Sequence, residues 1–392
     1  MAHFVIIGGG IGGLAAAACL QARGIQAQVY ERAGELREIG AAISVWPNST
    51  RVFQRLNLLD ALIARSHVPP AGALRDWRGR ILMKVVNFEG STPALFTHRA
   101  DVHAILRAAV EPERLHFGKA FTGLERADAK VRALFADGTT SEWADGLIGA
   151  DGIRSAVRET TLADGPAIYR GYVAWRGVAT FDAGDQFVGE SWGRGMRFGC
   201  IPLGRGRVGW WATSNYNPRR LAEVLAMPAA EWKKDLLRRF GSAHKPIPDL
   251  IAATTEDLLL CNPLNDRPLS AIRRPWGDGP VTLLGDAAHP STPNLGQGGC
   301  MAIEDAAVLS HAMAAIPKVA TAFRVYEMTR RERTARIVLE SRRMGAAGQW
   351  QNPIACAIRN WLAQHAPTGG LKKQIISLWD YDAWETPLIM RG

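Results

Sequence analysis

Residues 4–31 read FVIIGGGIGGLAAAACLQARGIQAQVYE, and this stretch decides the fold class. The apolar residues 4–7 predict a short buried strand, and the alanine-rich residues 14–20 beyond the glycines predict a helix. Gly24 is a typical helix end, and residues 26–30 predict a second strand. Strand, glycine turn, helix and strand in this order predict the first βαβ unit of a parallel sheet.

The glycines of the turn have the spacing G-x-G-x-x-G, at Gly8, Gly10 and Gly13. The first glycine permits a tight turn, the second lets the backbone approach a pyrophosphate, and the third lets the helix pack on the strand. Glu31, 18 residues after Gly13, stands where this fold holds the adenosine ribose hydroxyls. A glycine-rich turn with an accidental acid is the alternative, but the ordered elements favour dinucleotide binding.

The composition is that of a folded globular protein. Of 392 residues, 47% are hydrophobic and 21% charged, which argues against disorder and against a coiled coil, and the length allows two or three compact units. The 40 glycines follow no triplet period, which excludes collagen. No apolar run approaches the roughly 20 residues of a membrane span, so we expect no stable membrane insertion, and the first residues do not resemble a signal peptide.

Cysteine and arginine usage narrow the function classes. The five cysteines are scattered and none forms a C-x-x-C pair, so we expect no disulfide framework, no metal site and a cytoplasmic location. The net charge is +10, and much of it lies between Arg330 and Arg343 in a predicted helix. Because no aromatic residues interleave with these arginines, we expect a solvated helix face and no nucleic-acid partner.

The next segment favours a flavin over a nicotinamide nucleotide. A nicotinamide enzyme would usually continue with regular βα units, whereas residues 40–48, GAAISVWPN, are small, apolar and extended. They lead into a helix predicted from Ser49 to about Ile63. An extended strip of small residues near the pyrophosphate suits a flavin whose ring lies deeper in the protein.

Two later motifs also end buried strands with an aspartate. Residues 147–158 read LIGADGIRSAVR, and residues 281–305 read VTLLGDAAHPSTPNLGQGGCMAIED. A carboxylate at a strand end, such as Asp286, can accept the ribityl hydroxyls. The glycine-rich start of the last helix offers free N–H groups and a positive dipole end to an anionic reduced flavin.

Taken together, the three motifs resemble those of the single-component FAD-dependent aromatic hydroxylases, the flavoprotein monooxygenases related to para-hydroxybenzoate hydroxylase. They span residues 4–305 in the order of that family. Residues 40–48, 172–175 and 285–305 are most similar to the salicylate hydroxylase, urate hydroxylase and zeaxanthin epoxidase branch. The resemblance implies an α/β fold, with a Rossmann-like FAD-binding domain and an antiparallel β-sheet substrate domain.

The resemblance also implies a non-covalent FAD site. Its expected residues are Gly8, Gly10, Gly12 and Gly13 at the pyrophosphate, Glu31 and Arg32 at the adenosine ribose, Ser44 near the ring, Arg99 at the ribityl–phosphate segment, Asp286 at the ribityl chain, Gly296, Gln297, Gly298, Gly299 and Cys300 at the pyrimidine edge, and Asp151 beside a transient NAD(P)H site. Arg99 could instead be a surface arginine, and Asp151 could simply cap a helix. We expect His289 to anchor its loop rather than act as a base, and Cys300 to be a small helix-start residue rather than a redox thiol.

Between the last two motifs the sequence pattern becomes that of strands separated by glycine-rich turns. Residues 169–178, 196–202 and 208–213 predict strands, residues 221–240 predict a helix, and residues 72–96 add a hairpin. We therefore expect an antiparallel sheet laid over the flavin, with the substrate between them.

Four residues on these strands are candidates for substrate binding: Trp175, Arg176, Arg197 and Trp210. By alternation, Trp210 and Trp211 point to opposite faces, so at most one lines the pocket. Arg197 matches an arginine that relatives of the urate hydroxylase type use for substrate, although a solvated edge arginine is the alternative. Those relatives carry a tyrosine where this chain has Gly209, which puts urate in doubt and suggests a different or larger ring.

The motif order divides the chain into three parts. The expected parts are a discontinuous FAD-binding domain of residues 1–71, 97–165 and 280–345, a substrate domain of residues 72–96 and 166–279, and a C-terminal helical tail of residues 346–392. The tail either covers the FAD-binding domain or forms a dimer contact, so both a monomer and a homodimer remain open.

The expected activity is hydroxylation of a small aromatic or heteroaromatic substrate with NAD(P)H and O2, through the flavin C4a-hydroperoxide of this family. No second G-x-G-x-x-G provides a resident NAD(P)H site, which fits a transient reductant, and no catalytic side chain stands out because the flavin carries the chemistry. Epoxidation of an olefin or polyene and a non-oxygenating FAD-dependent reductase are the enzymatic alternatives. An anion-binding regulatory protein would need vestigial glycine motifs, and flavin absorbance of the purified protein would exclude it.

Overall fold

The structure is a computed structural model that describes residues 2–35, 41–68, 71–85, 92–182, 188–366 and 376–390. The strands are β1 His3–Ile7, β2 Gln26–Tyr30, β3 Ala42–Val45, β4 Ser66–His67, β5 Gly72–Asp76, β6 Ile81–Val85, β7 Leu95–His98, β8 Leu115–His116, β9 Phe121–Ala127, β10 Lys130–Phe135, β11 Gly146–Gly149, β12 Ile168–Thr180, β13 Gly189–Trp192, β14 Met196–Gly204, β15 Arg207–Asn215, β16 Leu260–Asp266 and β17 Val281–Leu283. The helices are α1 Ile11–Ala22, α2 Pro47–Arg55, α3 Leu59–Ile63, α4 Arg99–Ala108, α5 Ala156–Leu162, α6 Pro218–Ala226, α7 Ala229–Phe240, α8 Ile247–Ala253, α9 Leu269–Arg273, α10 Gly298–Ala315, α11 Val319–Gly348 and α12 Pro353–His365.

A parallel sheet forms the nucleotide-binding half. Its described strands lie in the order β17-β11-β1-β2-β8, and every neighbouring pair is parallel. The apolar strands and the alanine-rich α1 pack into one buried core with α10 and α11. The strand ends that carry the three motifs therefore meet at one edge of this sheet, as expected for a Rossmann-like domain.

A second sheet has the order β16-β12-β15-β14-β13-β5-β6 and is antiparallel except where β13 runs parallel to β5. The hairpin β5–β6 extends the sheet, as the sequence predicts, but of the predicted range 72–96, residues 86–91 lie outside the described residues and residues 95–96 belong to β7. Helices α6, α7 and α8 cover its outer face, which we call the back face. The opposite face, the front face, lies towards β3, β4 and β7, which form a small antiparallel sheet of their own. This is the predicted α/β architecture with two unlike sheets.

Two predicted helices are each broken into two. The helix expected from Ser49 to about Ile63 is α2 and α3, because Asn57 between them adopts a positive φ of 58°. The helix expected over residues 221–240 is α6 and α7, separated at Pro228, which cannot continue a helix that begins before it.

The arginine-rich helix α11 is only partly a solvated face. Arg330 is fully buried and pairs with Glu304 at 2.6 Å and with Asp305 at 2.7 Å. Arg333 also pairs with Glu304, at 2.6 Å, and Arg342 reaches Asp266 at 3.0 Å. The expectation of a solvated face is therefore wrong for these positions, because carboxylates distant in sequence neutralise them inside the fold.

Two segments of the tail are described: α12 lies against the substrate sheet, where Arg359 lies over the Trp192 ring at 5.1 Å, and residues 376–390 pack on the nucleotide-binding half. The Trp379 ring stacks on Trp46 with centroids 4.5 Å apart, and Arg23 lies over the Trp384 ring at 4.3 Å. Of the two roles considered for the tail, these contacts correspond to covering the FAD-binding domain. Among the described residues, no helix is both long and apolar enough to span a bilayer.

Candidate functional site

The glycine turn has the geometry that a pyrophosphate requires. Gly8 has a φ of +110°, and a Cβ on Gly13 would lie 1.9 Å from the Gly8 carbonyl oxygen, so neither position accepts a side chain. A Cβ on Gly10 would meet nothing within 4 Å, which leaves open space in front of the loop. A Cβ on Gly12 would lie 2.8 Å from Leu284, so its missing side chain serves the packing of α1, while its N–H stays a proposed phosphate donor.

The Glu31 side chain is held beside this turn by hydrogen bonds from backbone N–H groups. Its Oε2 accepts the Gly9 N–H at 2.7 Å, and its Oε1 accepts the Ala33 N–H at 2.9 Å, while the neighbouring Arg32 is exposed. His103 lies 2.7 Å from the Gly9 carbonyl oxygen through Nε2, a contact that sequence reasoning missed. Because its lone pairs are only partly used, the Glu31 carboxylate can still accept hydroxyl groups.

Asp286, from the third motif, reaches the start of α10. A Cβ on Gly298 would lie 3.9 Å from Asp286 Oδ1, so the carboxylate and the helix N-terminus share one space. The Asp286 side chain is exposed within the open cleft, yet the protein packed around it raises the pKa of its carboxyl by desolvation, against nearby basic groups that include Arg99 and Arg176.

Residues around the start of α10 close the floor of this space. Gly296, with a φ of 62°, places its backbone against Ser44 and Trp46, and a Cβ on Gly299 would lie 3.1 Å from Ile43. Cys300 directs Sγ to the Ser44 carbonyl oxygen at 3.6 Å, and burial raises the pKa of its thiol to about 11. A thiol held so far from ionisation agrees with a packing role rather than a redox role.

Gln297 precedes this helix and is buried. Its Oε1 accepts from Asn48 Nδ2 at 3.0 Å, which ties the start of α10 to α2. We call the space bounded by the Gly8–Gly13 turn, Glu31, Arg99, Asp286 and the 296–300 segment the cofactor cleft.

Two arginines from different elements influence the cofactor cleft electrostatically. Arg99 is exposed at the first position of α4, where its backbone N–H donates to the Ala41 carbonyl at 3.0 Å. Arg176 reaches in from β12, and burial lowers the pKa of its guanidinium, with the charge of Arg99 adding to that shift and Asp286 opposing it. Arg176 therefore belongs electrostatically to the cofactor cleft as much as to the substrate sheet.

Asp151 has the contacts of a helix cap. Its Oδ2 accepts the N–H groups of Ala156 at 2.7 Å and Val157 at 3.1 Å at the start of α5, and burial raises the pKa of its carboxyl. The helix-cap alternative accounts for these contacts, and a role beside FAD and NAD(P)H remains a proposal.

Sequence reasoning missed a buried ionic brace behind the cleft. Asp305 Oδ2 accepts the Gly285 N–H at 2.9 Å and pairs with His289 Nε2 at 2.6 Å, and Oδ1 pairs with Arg330. Burial alone would raise the pKa of Asp305, but His289 and Arg330 outweigh it and lower that pKa to about 2. The brace fixes the backbone that presents Asp286, and it agrees with an anchoring role for His289.

The strand register decides which substrate candidates face the cleft. Arg176 on β12 is aligned with Trp211 on β15. Trp211 is in turn aligned with Gly199 on β14, and Gly199 is aligned with Glu190 on β13. Arg197, two residues before Gly199, points to the same side. The front face therefore carries Arg176, Arg197, Trp211 and Glu190.

Trp175 and Trp210 are not on this face. Both are buried in the core between the back face and helices α6–α8, and Trp210 Nε1 donates to Thr254 Oγ1 at 2.8 Å. The alternation of a strand turns them away from Arg176 and Arg197, so we withdraw them as substrate-binding candidates. Trp211 takes the place expected for one of the paired tryptophans.

Gly209 lies on the front face but leaves no vacant space. A Cβ there would lie 2.2 Å from the Ala42 Cβ of β3. The absence of a tyrosine at this position therefore does not by itself enlarge the pocket, contrary to the expectation of a larger ring from this residue.

Arg197 is buried rather than at a solvated edge. Its Nη2 donates to Asn294 Oδ1 at 2.6 Å and its Nη1 lies 3.5 Å from the Glu190 carboxylate. Asn294 belongs to the segment just before Gly296, so Arg197 links the front face to the floor of the cofactor cleft. These contacts form a polar corner where the two halves meet, beside the cofactor cleft.

Known proteins are similar to this chain along most of its length. Residues 1–192 and 247–341 match the model of the FAD binding domain family. The aurachin C monooxygenase/isomerase of Stigmatella aurantiaca is 36% identical over 365 residues, which cover 91% of this chain and 92% of that protein. The FAD-dependent urate hydroxylase of Klebsiella pneumoniae subsp. pneumoniae is 35% identical over 354 residues, which cover 86% of this chain and 88% of that protein.

A solved structure extends the match to three dimensions. Klebsiella pneumoniae HpxO complexed with FAD and uric acid has a TM-score of 0.86 at 29% identity, over 96% of each chain. The fold class, the FAD cofactor and the aromatic hydroxylase interpretation are confirmed, and the matches do not support the epoxidase or reductase alternatives. The chain belongs to the FAD binding domain family and is an FAD-dependent monooxygenase of the aromatic hydroxylase type.

Proposed function

We propose that this monooxygenase uses NAD(P)H and O2 to hydroxylate a small heteroaromatic ring held between the cofactor cleft and the front face. The observation that carries the proposal is the junction at Asn294, where the front-face Arg197 contacts the segment that leads into the cleft floor. Relatives named for urate and for 6-hydroxynicotinate support a heteroaromatic ring.

The residues fit FAD at three places in the cofactor cleft. The open space at Gly10 accommodates a phosphate, Glu31 offers lone pairs to a ribose, and Asp286 stands beside free N–H groups of the α10 start. When bound, FAD supplies the redox chemistry that places one oxygen atom of O2 on the ring. The protein binds and orients the ring at the polar corner and excludes water.

Each part of the chain has a proposed role. Arg99 and Asp286 hold the ribityl–phosphate segment, the 296–300 segment binds the pyrimidine edge, and Arg197 orients the substrate. Asp151 stands at the junction with a transient NAD(P)H. The proposed domain division is 1–71, 97–165 and 280–345 for FAD, 72–96 and 166–279 for substrate, and 346–392 for the tail.

We also propose a cytoplasmic location and a monomer or homodimer. NAD(P)H is a cytoplasmic reductant, and the five cysteines are free thiols in the structure, which suits a reducing compartment.

The test is substrate-stimulated NAD(P)H oxidation by the FAD-loaded protein, with a screen of phenols, N-heteroaromatics and purines. We expect a subset of N-heteroaromatics to accelerate oxidation and to yield products with one added oxygen atom. NAD(P)H consumption that no ring stimulates, or products without added oxygen, would contradict the proposal.

A further inference from the structure

The carboxylate of Glu190 is a front-face group that none of the cofactor roles uses. Glu190 lies on β13, aligned with Gly199 and, beyond it, with Trp211. Its side chain is 17% exposed, whereas the Arg197 side chain beside it is 2% exposed. Within this polar corner, the group that a ligand can reach is therefore the carboxylate more than the guanidinium.

Three donors hold the Glu190 carboxylate in one orientation. Trp192 Nε1 donates to Oε2 at 2.6 Å, Trp211 Nε1 donates to Oε1 at 2.9 Å, and Arg197 Nη1 lies 3.5 Å away. A carboxylate has about four lone-pair sites, so the fixed group keeps capacity for a further donor.

The chain makes room for this arrangement at Gly199. A Cβ at that position would lie 2.1 Å from the Trp211 ring. The indole therefore crosses the strand over a glycine in order to reach Glu190. Such a close approach indicates that the position of the carboxylate is built into the sheet.

Arg197 is largely closed to a ligand, because only 2% of its side chain is exposed. Its Nη2 is used by Asn294 and its Nη1 faces Glu190. Its Nε is buried without a partner among the described residues and faces the α11 backbone, where a Cβ on Gly348 would lie 3.0 Å away. Nearby, Arg359 gives its guanidinium to the carbonyls of Gly193, Ala347 and Gly348.

We propose that Glu190 is the substrate-orienting group of the pocket and that the substrate presents a ring N–H or O–H donor to it. This inference rests on the proposed function and narrows its substrate class to lactam-type or hydroxylated rings with a free donor. A hydrogen bond to a fixed carboxylate orients the ring and raises its electron density. The orienting role proposed above for Arg197 is then indirect: Arg197 is a positioning residue that acts on the substrate through Glu190.

The test compares ligands that differ only in the donor. 2-Quinolone and N-methyl-2-quinolone form one pair, and 2-naphthol and 2-methoxynaphthalene form another. Each is titrated into the FAD-loaded protein, and binding is read from the flavin absorbance change. We expect the donor-bearing member to bind about 10- to 100-fold more tightly, the range of a hydrogen bond to a charged group.

Three variants separate a binding role from a structural one. Glu190→Leu should abolish the preference, and Trp211→Phe, which removes one of the donors to the carboxylate, should reduce it. Glu223→Leu, at an exposed glutamate of the same sheet domain, is the matched control and should behave as the parent. FAD content and the melting temperature are recorded for each.

Equal binding of both members by the parent, binding of neither pair, or a preference that survives in Glu190→Leu would overturn the inference. The proposed function fails separately if the FAD-loaded parent adds oxygen to no ring in the activity screen. That result would leave the binding preference measurable, so the two failures are distinguishable.

Discussion

At the scale of single residues, the charge of Asp286 in the cofactor cleft is balanced by His289 of its own motif and by arginines of other elements. Asp286 follows a strand of the parallel sheet, whereas the arginines nearest to it electrostatically are Arg99 on α4 and Arg176 on the other sheet. Each sheet thus contributes charge to the same space. The effect of changing one of these residues should therefore appear in cofactor binding before it appears in folding.

Asp286→Ala should weaken FAD retention. A charge-assisted hydrogen bond contributes about 1.5–3 kcal/mol, which corresponds to about 10- to 150-fold in the FAD dissociation constant. Equilibrium titration of the apoprotein with FAD measures this change. Asp257→Ala, at an exposed aspartate outside the cleft, should leave FAD affinity unaltered. An Asp286→Ala protein with parental affinity would remove Asp286 from the ribityl chain.

Local requirements could be predicted from the sequence, and pairings distant in sequence could not. The spacing of Gly8, Gly10 and Gly13 follows from backbone geometry within one turn, so it is visible in the residues themselves. Strand alternation separates Trp210 from Trp211, but it does not say which face the helices cover. The covered face depends on where α6–α8 pack. They pack on the face that carries Trp210, so Trp210 lies outside the site.

The burial of the charged residues of α11 could not be predicted from the sequence either. The arginines of α11 look like a solvated face, yet Arg330 is buried because Glu304 and Asp305 on α10 meet it. Glu190 gave no signal because it belongs to no motif, and its importance arises from indole donors brought together by the sheet register. Neither pairing has a local sequence pattern.

At the scale of elements, α10 combines two functions. Its N-terminus opens beside Asp286 in the cleft, while Glu304 and Asp305 in its second turn join the ionic brace to α11. The brace holds the helix, so the N-terminal N–H groups keep a fixed place. A helix N-terminus carries roughly half a positive charge, which stabilises an anion in front of it.

Gly298→Val should lower the reduction potential of bound FAD. Space beyond the Gly298 Cα is open up to Asp286, so a branched side chain would enter the cleft and push the ring away from the helix start. Reduced flavin is an anion and would lose part of the dipole that stabilises it. The potential is measured by equilibrium dye reduction, with FAD affinity measured alongside.

Gly123→Val is a suitable control for this substitution. Gly123 lies in β9, where a Cβ makes only an ordinary contact with Leu134 at 3.6 Å. The control should keep the parental potential. A parental potential in Gly298→Val itself would place the α10 start away from the flavin ring.

At the scale of the whole molecule, the C-terminal half supports the N-terminal nucleotide fold. Glu327 on α11 accepts the backbone N–H of Trp276 at 3.0 Å and the Thr282 hydroxyl at 2.8 Å, next to the edge strand β17. Burial raises the pKa of Glu327 to about 7, with Arg324 opposing the shift. The packing of α11 on the parallel sheet therefore depends on pH through the Glu327 carboxylate.

Glu327 should make stability fall as pH rises. With its folded pKa above its unfolded value, the folded state binds the extra proton, so this stabilisation is complete below about pH 4.5 and is lost as pH rises through about 7. Urea unfolding midpoints of the parent and Glu327→Gln should therefore diverge between pH 5 and 8, in favour of the variant. Glu332→Gln, on the same helix but 75% exposed, should show a constant difference.

The tail should influence the cofactor cleft through one aromatic contact. Trp379 is buried against Trp46, the residue that a Cβ on Gly296 would approach to 3.0 Å at the indole nitrogen. Aromatic pairs contribute about 0.5–1.5 kcal/mol beyond the area that they bury. Losing the Trp379 ring should loosen Trp46 and, with it, the strip of β3 that closes the cleft floor.

Trp379→Ala should consequently lower both the melting temperature and FAD affinity, although Trp379 contacts neither the glycine turn nor Asp286. Removal of a buried tryptophan costs about 3–5 kcal/mol, which is enough to destabilise the covering segment as a whole. Trp361→Ala is the matched control, since that tryptophan on α12 is 57% exposed. If Trp379→Ala melts at a lower temperature but binds FAD as the parent does, the tail only stabilises the fold. The loosening of Trp46 would then not affect the cleft floor.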